Sequence, residues 1–437
     1  MSQAHKQFRD IFERTESLSA DRLRDYQIAN LDVLCRHARA HVPFYRDRLA
    51  PVFDSQDRFR IENWDNIPLL SRADVLTHFE ALKSDTLPQN HGETSICHSS
   101  GSSGQPIRVL QTTLNETAFG STTDRIARWH TWDPRGRSGT ITDRGPRIGV
   151  SKDGERSTFA DPFCQAMGIE GCSRMLSSRV PLDWQADWLD AFQPQFLRIY
   201  PANLRLLLDD YDRSGRSTPT SPTIMTAGEA CPDDLRVRCE NLFAAKHINV
   251  YGAREIGRIA IQAPNSRALV CMDELVKAEI IDADGRGLGD GETGDLVFTP
   301  VLNFAMPLIR YAIGDRGCFA APDQFLPHTM FETIAGRSRA YFTKPDGTRF
   351  WPGLSPSNFY GILGTSDYQV VQSEPRKIEI HFVPCLKAVT ESDRRDMQNC
   401  AMEAFGDVFE IALVERQAIP FLPNGKRPDF INRLETP

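Results

Sequence analysis

Residues 99–106 read SSGSSGQP, a run of hydroxyls and glycines with almost no side-chain bulk. Ser99, Ser100, Ser102 and Ser103 supply hydrogen-bond donors that need no charge. Gly101 and Gly104 can reach positive φ, which lets successive backbone N–H groups converge on one anion. The chemistry on offer is the cradling of a phosphate. A flexible linker has the same composition, and the loop alone does not separate the two. Cys231, Cys239 and His247 could be drawn as a metal site. Their separations miss the short ligand pairs of structural zinc, so they read better as core.

The elements that position such a loop follow from the rest of the chain. With 437 residues it exceeds one small core, and two domains, or three, are expected. A hydrophobic share of 40% with 25% charged residues is ordinary globular composition. The net charge of −7 argues against binding nucleic acid or anionic membrane through bulk charge, and leaves room for a local basic pocket. No apolar run is long enough to span a bilayer, and the polar N-terminus does not resemble a signal peptide. The ten scattered cysteines contain no CxxC pair. A cytoplasmic protein with free thiols is expected.

Helical spacing at Leu23, Ile28, Leu31, Leu34 and Cys35 behind Ser19 predicts a helix that breaks at Val42-Pro43. Ser71 before Asp74 predicts a second within 67–82, and LNETAFGSTTDRIARWHTW a third after the loop. From about 147, apolar runs at 147–151, 196–200, 223–228 and 247–252 alternate with helical stretches, the pattern of a parallel α/β sheet. From about 269, short strands punctuated by Gly and Asp predict antiparallel structure. Past about 335 come a hairpin over Asp346-Gly347, paired strands in DYQVVQS and KIEIHFVP, a helix in DRRDMQNCAMEAFG and a strand in EIALVERQAI. Together they predict a small α+β module.

The loop is one of a series. SSGSSGQP, MTAGE (225–229), YGARE (251–255), RYAIGD (310–315), GRSR (336–339) and NGK (424–426) fall in the order and spacing of the adenylate-forming superfamily, which the chain resembles. Within that superfamily of acyl-CoA synthetases and nonribosomal adenylation domains it looks most like the phenylacetate–CoA ligase group, with its capsule-biosynthesis-type relatives. HVPFYRDRL (41–49), IPLLSRADV (67–75) and ETGDLVFTPVLNFAMPLIRYAIGD are similar to segments of that group, and the last is the most specific. The resemblance implies an α/β fold in two parts. A large N-terminal domain of stacked mixed sheets with flanking helices and a β-subdomain covers 1–335. A small mobile α+β lid covers 336–437.

It also implies an activity and roles. A carboxylic acid, aromatic or otherwise compact, attacks the α-phosphorus of ATP, pyrophosphate leaves, and the acyl-adenylate passes to CoA. The alternatives are transfer to a carrier-protein thiol, an amine or another nucleophile, or a degenerate homologue that binds without turnover. Residues 99–104 would hold the β- and γ-phosphates, and Ala227, Gly228 and Glu229 would lie along adenine, with Tyr251 of the Tyr251-Gly252 pair stacked on the ring. Glu255 would ligate Mg²⁺, Asp315 would accept both ribose hydroxyls, and Arg337 would contact ribose or phosphate. Lys426 would bring a positive charge to the α-phosphate. Arg198, Tyr200, Pro201 and Ala227 are candidates for the acyl pocket. His130 is a poor candidate base, because an ionised carboxylate has no proton to lose; with Trp129 and Trp132 it reads as core or pocket wall. No nucleic-acid or membrane partner is implied, and a homodimer is compatible with the resemblance.

Four departures stand out. Gln105 replaces a lysine beside the loop, and Ala312-Ile313 replace the Arg-Thr of the family's RYRTGD. Ser338, Arg339 and Ala340 follow Arg337 where the hinge usually carries an acidic residue or lysine. Arg254 stands where Thr or Ser usually precedes the metal glutamate, and there it could grip a carboxylate or phosphate oxygen or fill the acyl pocket.

Overall fold

The computed structural model describes residues 2–98, 107–142, 152–178, 180–217, 223–229, 231–323, 326–335, 342–347, 349–350, 354, 356–365, 367–385, 387–419 and 429–434. The expected strand at 147–151, the loop residues Ser99 to Gly104, Gln105, the hinge with Arg337, and Lys426 lie outside them.

Local signals set the first helices. Helix α1 (Ser2–Thr15) precedes α2 (Ala20–His41), where Ser19 accepts from the Arg22 amide at 3.3 Å and Leu23, Leu31, Leu34 and Cys35 are buried. Helix α3 (Arg72–Thr77) opens on a reciprocal cap between Ser71 and Asp74. It stops short of residue 82 because the chain turns there to bury Phe79 and Leu82. Strands β1 (Thr94–His98) and β2 (Arg108–Thr112) pair antiparallel, with His98 opposite Arg108. Residues 99–106, which join the two strands along the chain, lie outside the described residues. Thr112 then caps the long helix α4 (Thr113–His130).

The central sheet begins with β3 (Arg137–Thr142), β4 (Glu155–Ser157), β5 (Cys172–Ser177), β6 (Phe196–Ile199), β7 (Thr223–Ala227) and β8 (Lys246–Ala253). Between them run α5 (Pro162–Met167), α6 (Leu182–Phe192), α7 (Pro201–Ser214) and α8 (Asp233–Phe243). Strands β5, β3, β6, β7 and β8 pair in parallel in that order, with β4 antiparallel at the edge. The sheet continues through β9 (Gly257–Gln262), β10 (Leu269–Cys271), β11 (Val276–Ile281), β12 (Thr293–Pro300), β13 (Tyr311–Phe319) and β14 (Met330–Ala335), all antiparallel. The expected change of texture is therefore a change of direction within one twelve-stranded sheet. It falls at the β8–β9 hairpin, earlier than residue 269, and the tip of that hairpin carries Arg254, Glu255 and Ile256.

Alternation along the parallel strands separates two cores. Phe196, Met225, Ile248 and Val250 join one with α1, α2 and α4, while Leu197, Ile199 and Ile224 pack on α6, α7 and α8. The aromatic residues near the loop belong to the first. Trp132 stacks on Phe196 with centroids 4.1 Å apart, and His130 bonds the Gln262 carbonyl at 3.0 Å. Burial lowers the His130 pKa to about 4.

The C-terminal segment forms β15 (Phe342–Thr343) and β16 (Arg349–Phe350), a hairpin over Gly347. It continues with α9 (Pro356–Leu363), β17 (Tyr368–Glu374), β18 (Lys377–Phe382), α10 (Glu391–Phe405), β19 (Glu410–Glu415) and β20 (Phe430–Asn432). The sheet order β19-β18-β17-β20 and a third core around Phe359, Tyr368, Ile380, Met397 and Phe405 hold it together. Arg205 on α7 reaches this segment. Its Nη1 lies 3.1 Å from both carboxylate oxygens of Asp429, which also accepts from the Tyr368 hydroxyl at 3.2 Å.

Candidate active site

Stretches separated in sequence meet at the end of the central strands, where β8 turns into β9. The Arg254 carbonyl accepts from Cys97 Sγ at 3.2 Å and from Gln111 Nε2 at 3.0 Å. Cys97 lies on β1 and Gln111 on β2, so both strands that carry the serine–glycine connection are tied to the residue before Glu255. Glu255 is 2% exposed, while the Arg254 side chain is exposed.

On β8 the Tyr251 hydroxyl donates to Asp315 Oδ2 at 2.5 Å, joining YGARE to RYAIGD across the sheet. One oxygen of Asp315 is thus engaged by Tyr251, which qualifies the reading in which both await ribose. The N-terminal signature segments brace the start of β13, the strand that carries Asp315. Leu70 and Arg310 to Ala312 exchange backbone bonds, Leu70 N to Arg310 O and Ala312 N to Leu70 O, both at 2.9 Å. Tyr45 donates to the Pro307 carbonyl and accepts from the Ile309 amide, each at 3.0 Å. Arg310 is buried against Glu279 at 3.0 Å and the carbonyls of Asp65 and Ile67, so the arginine of RYAIGD is structural.

Beyond β7 the MTAGE segment meets the start of α7. Gly228 has φ of +86°, and a Cβ there would stand 3.1 Å from the Tyr200 ring, so only glycine fits without displacing it. Glu229 accepts from the Ala202 amide at 2.9 Å and so caps α7, a role that a reading along adenine does not include. Tyr200 in turn accepts from Thr142 at 3.0 Å, and Pro201 is buried at the first position of the helix. Ala227 packs on the first core.

Arg198 faces elsewhere, toward α4 and α5. Its Nη2 stands 3.8 Å from Asp161, whose oxygens cap α5 through Cys164 N at 3.0 Å and accept from Thr123 at 2.7 Å. Arg258, which the sequence reading does not single out, lies beside it and donates to Thr122 on α4. Burial and the Arg198 charge pull the Arg258 pKa down to about 10, with Asp161 opposing, so it stays cationic at neutral pH. The signal available in the sequence is an arginine three residues past Glu255 on the same hairpin. Cys231 and His247 do approach, at 3.5 Å, but among the described residues no group of three metal-ligating side chains forms. Among those residues, too, no helix is long and apolar enough to cross a membrane.

No protein-family model matches the chain. It is 25% identical over 351 residues to a phenylacetate–coenzyme A ligase of Pseudomonas putida, covering 77% of this chain and 76% of that one. It is 26% identical over 348 residues to a phenylacetate–coenzyme A ligase of Aromatoleum evansii, covering 75% and 73%. A crystal structure of a 2-hydroxyisobutyryl-CoA ligase in the postadenylation state, in complex with R3-HIB-AMP, matches with a TM-score of 0.71 at 17% identity, over 97% of this chain and 92% of that one. The chain thus shares the fold of that ligase and is similar in sequence to phenylacetate–coenzyme A ligases over about three quarters of its length.

Proposed function

We propose that the chain is an ATP-dependent acid–thiol ligase that activates an aromatic or otherwise compact carboxylic acid and transfers the acyl group to CoA. The observation that carries this reading is the tethering of both loop-bearing strands to the backbone next to Glu255. It ties the two strands that flank residues 99–106 to the hairpin that carries Tyr251 and the buried Glu255, which supports reading the stretch as a phosphate-holding loop and not as a linker. The similarity to phenylacetate–coenzyme A ligases supports the same reading.

In the first step a carboxylate oxygen bonds to the α-phosphorus, the bond to the β-phosphate oxygen breaks, and pyrophosphate leaves. The loop Ser99 to Gly104 holds the outer phosphates, Asp315 with Tyr251 orients the ribose, and Gly228 lets adenine lie against the chain. Lys426 and Arg337 place positive charge on the phosphate side. Glu255 is a hard oxygen donor of the kind Mg²⁺ takes beside nucleotide phosphates, where the ion would neutralise developing charge. In the second step the CoA thiol sulfur bonds to the acyl carbon and AMP leaves. We assign the first step's binding surfaces to residues 1–335 and the lysine to a lid of residues 336–437. The ten free cysteines suit a cytoplasmic setting.

Pyrophosphate release over a panel of aromatic, aliphatic and amino acids, with and without CoA, tests the reading. Acid-dependent release with acyl-CoA formed in the CoA arm is the expected result. Release without acyl-CoA would move the acceptor to a carrier-protein thiol or an amine, and release at background with every acid would sink the ligase reading.

A further inference from the structure

On the face of the sheet covered by α4, two guanidinium groups share one carboxylate. Arg198 projects from β6 and Arg258 from β9, and each lies within reach of the other's charge and of Asp161. Asp161 is already committed to the Cys164 amide and the Thr123 hydroxyl, and its contact with Arg198 is long at 3.8 Å. Among the described residues Arg258 makes no ion pair, and its side-chain partner is the neutral hydroxyl of Thr122. A half-buried guanidinium whose counter-charge, Asp161, is shared and forms no ion pair with it is costly unless an anion completes it.

The local backbone fixes where that anion would lie. Gly257 has φ of +109° and a Cβ there would stand 2.5 Å from the Phe119 ring, so β9 starts in direct contact with α4. Thr122 is one helical turn past Phe119 on the same face, which sets Arg258 against it. Tyr251 pairs with Ala260, whereas Gly252 pairs with Arg258. The Tyr251 side chain goes to Asp315 and the Arg258 side chain goes to α4, so Arg258 is directed away from the ribose side. Arg258 follows Glu255 by three residues around the hairpin tip, so their Cα atoms lie at most about 10 Å apart. A small acid fits within that bound, with its reacting carboxylate near Glu255 and its far end near Arg258.

We propose that Arg258, with Arg198 beside it, binds the distal anionic group of a compact acid that carries two negative charges, such as a dicarboxylic acid. This rests on the ligase reading and narrows its substrate class: one carboxylate is activated near Glu255 while the other pairs with Arg258. An aromatic or short aliphatic ring or chain between them fits the span.

Matched pairs of acids test it, terephthalate against benzoate and succinate against butyrate. Binding to the full-length protein is followed by calorimetry and turnover by pyrophosphate release. The wild type is expected to prefer the dianion of each pair. Arg258→Met should cut the dianion-to-monoanion ratio of kcat/KM at least 30-fold, and Arg258→Lys should restore part of it through KM. A merely structural arginine would lower both acids together and leave the ratio unchanged, and that result overturns the proposal. So does a wild-type preference for the monoanions. Dianion binding that is lost in Arg258→Met, with no pyrophosphate from any acid, would uphold the anion site and overturn the ligase reading. Absence of both binding and turnover with the dianions overturns the site.

Discussion

Asp429→Ala should loosen the attachment of the C-terminal segment to α7, by an amount the geometry sets. Arg205 is 4% exposed at its side chain and Asp429 is 23% exposed, so the pair is neither fully buried nor a surface contact. The guanidinium also lies 5.5 Å over the Tyr368 ring. Burial works against the Arg205 charge, but Asp429 and Tyr368 hold its pKa above the usual arginine value. Removing one partner of a fully buried pair costs about 3–5 kcal/mol, and an exposed pair is worth about 0–1 kcal/mol. The partial exposure of Asp429 places the expected cost at about 2–3 kcal/mol. Because the pair joins α7 to the C-terminal segment, that cost falls on their docking and not on the folding of either. Hydrogen exchange at α7 and β17 reads docking directly, and amides that exchange through undocking should speed up about 30- to 150-fold. A double-mutant cycle with Arg205→Met should return a coupling near the single-variant cost. Unchanged exchange, or strictly additive effects, would refute the link.

Three further outcomes follow from other contacts. Asp315→Asn should raise the KM for ATP by about ten- to a hundredfold, as loss of charge-assisted bonds to ribose implies, while Tyr251→Phe should cost less because it removes only the 2.5 Å bond to Asp315; steady-state kinetics at saturating acid measures both. Glu274 is 1% exposed and joins Arg125 at 2.7 Å, His328 at 2.9 Å and the Thr15 hydroxyl. Although burial opposes it, Arg125 and His328 hold Glu274 well below the usual carboxylate range. Glu274→Gln leaves Arg125 with Glu16, at 2.8 Å, as its remaining counter-charge and should destabilise the large core by about 2–3 kcal/mol in urea titration. Burial lowers the pKa of His130 and of His247 to about 4 from 6.5. Their stabilisation is present above pH 6.5 and is lost as pH falls toward 4. Going from pH 7 to 5 should cost about 4 kcal/mol through these two, with Asp273 returning about 1 kcal/mol. The return comes from burial, which raises Asp273 to about 6. A melting temperature that rises toward pH 5 would contradict the assignment.

What could be read from the sequence was local or ordered along the chain. Ser19 and Ser71 cap their helices because an N-cap needs only the next three residues. The parallel strands at 196–200, 223–228 and 247–252 declare themselves as short apolar runs between helices. Strand β1 was hidden because TSICH is mostly exposed and shows no alternation, so nothing in it distinguishes a strand from a loop. The capping of α7 by Glu229 and the burial of Arg310 depend on partners more than twenty residues away, which no periodicity records. Arg258 was overlooked for the same reason: its meaning lies in Thr122 and Arg198, on two other elements.

Oxygen transfer tests the central claim most directly. An acid that supports pyrophosphate release is prepared with ¹⁸O in its carboxylate and incubated with ATP and CoA. If the carboxylate attacks the α-phosphorus, one labelled oxygen must appear in AMP and none in pyrophosphate. Label in inorganic phosphate with ADP as product, or AMP free of label, would contradict adenylation by this chain.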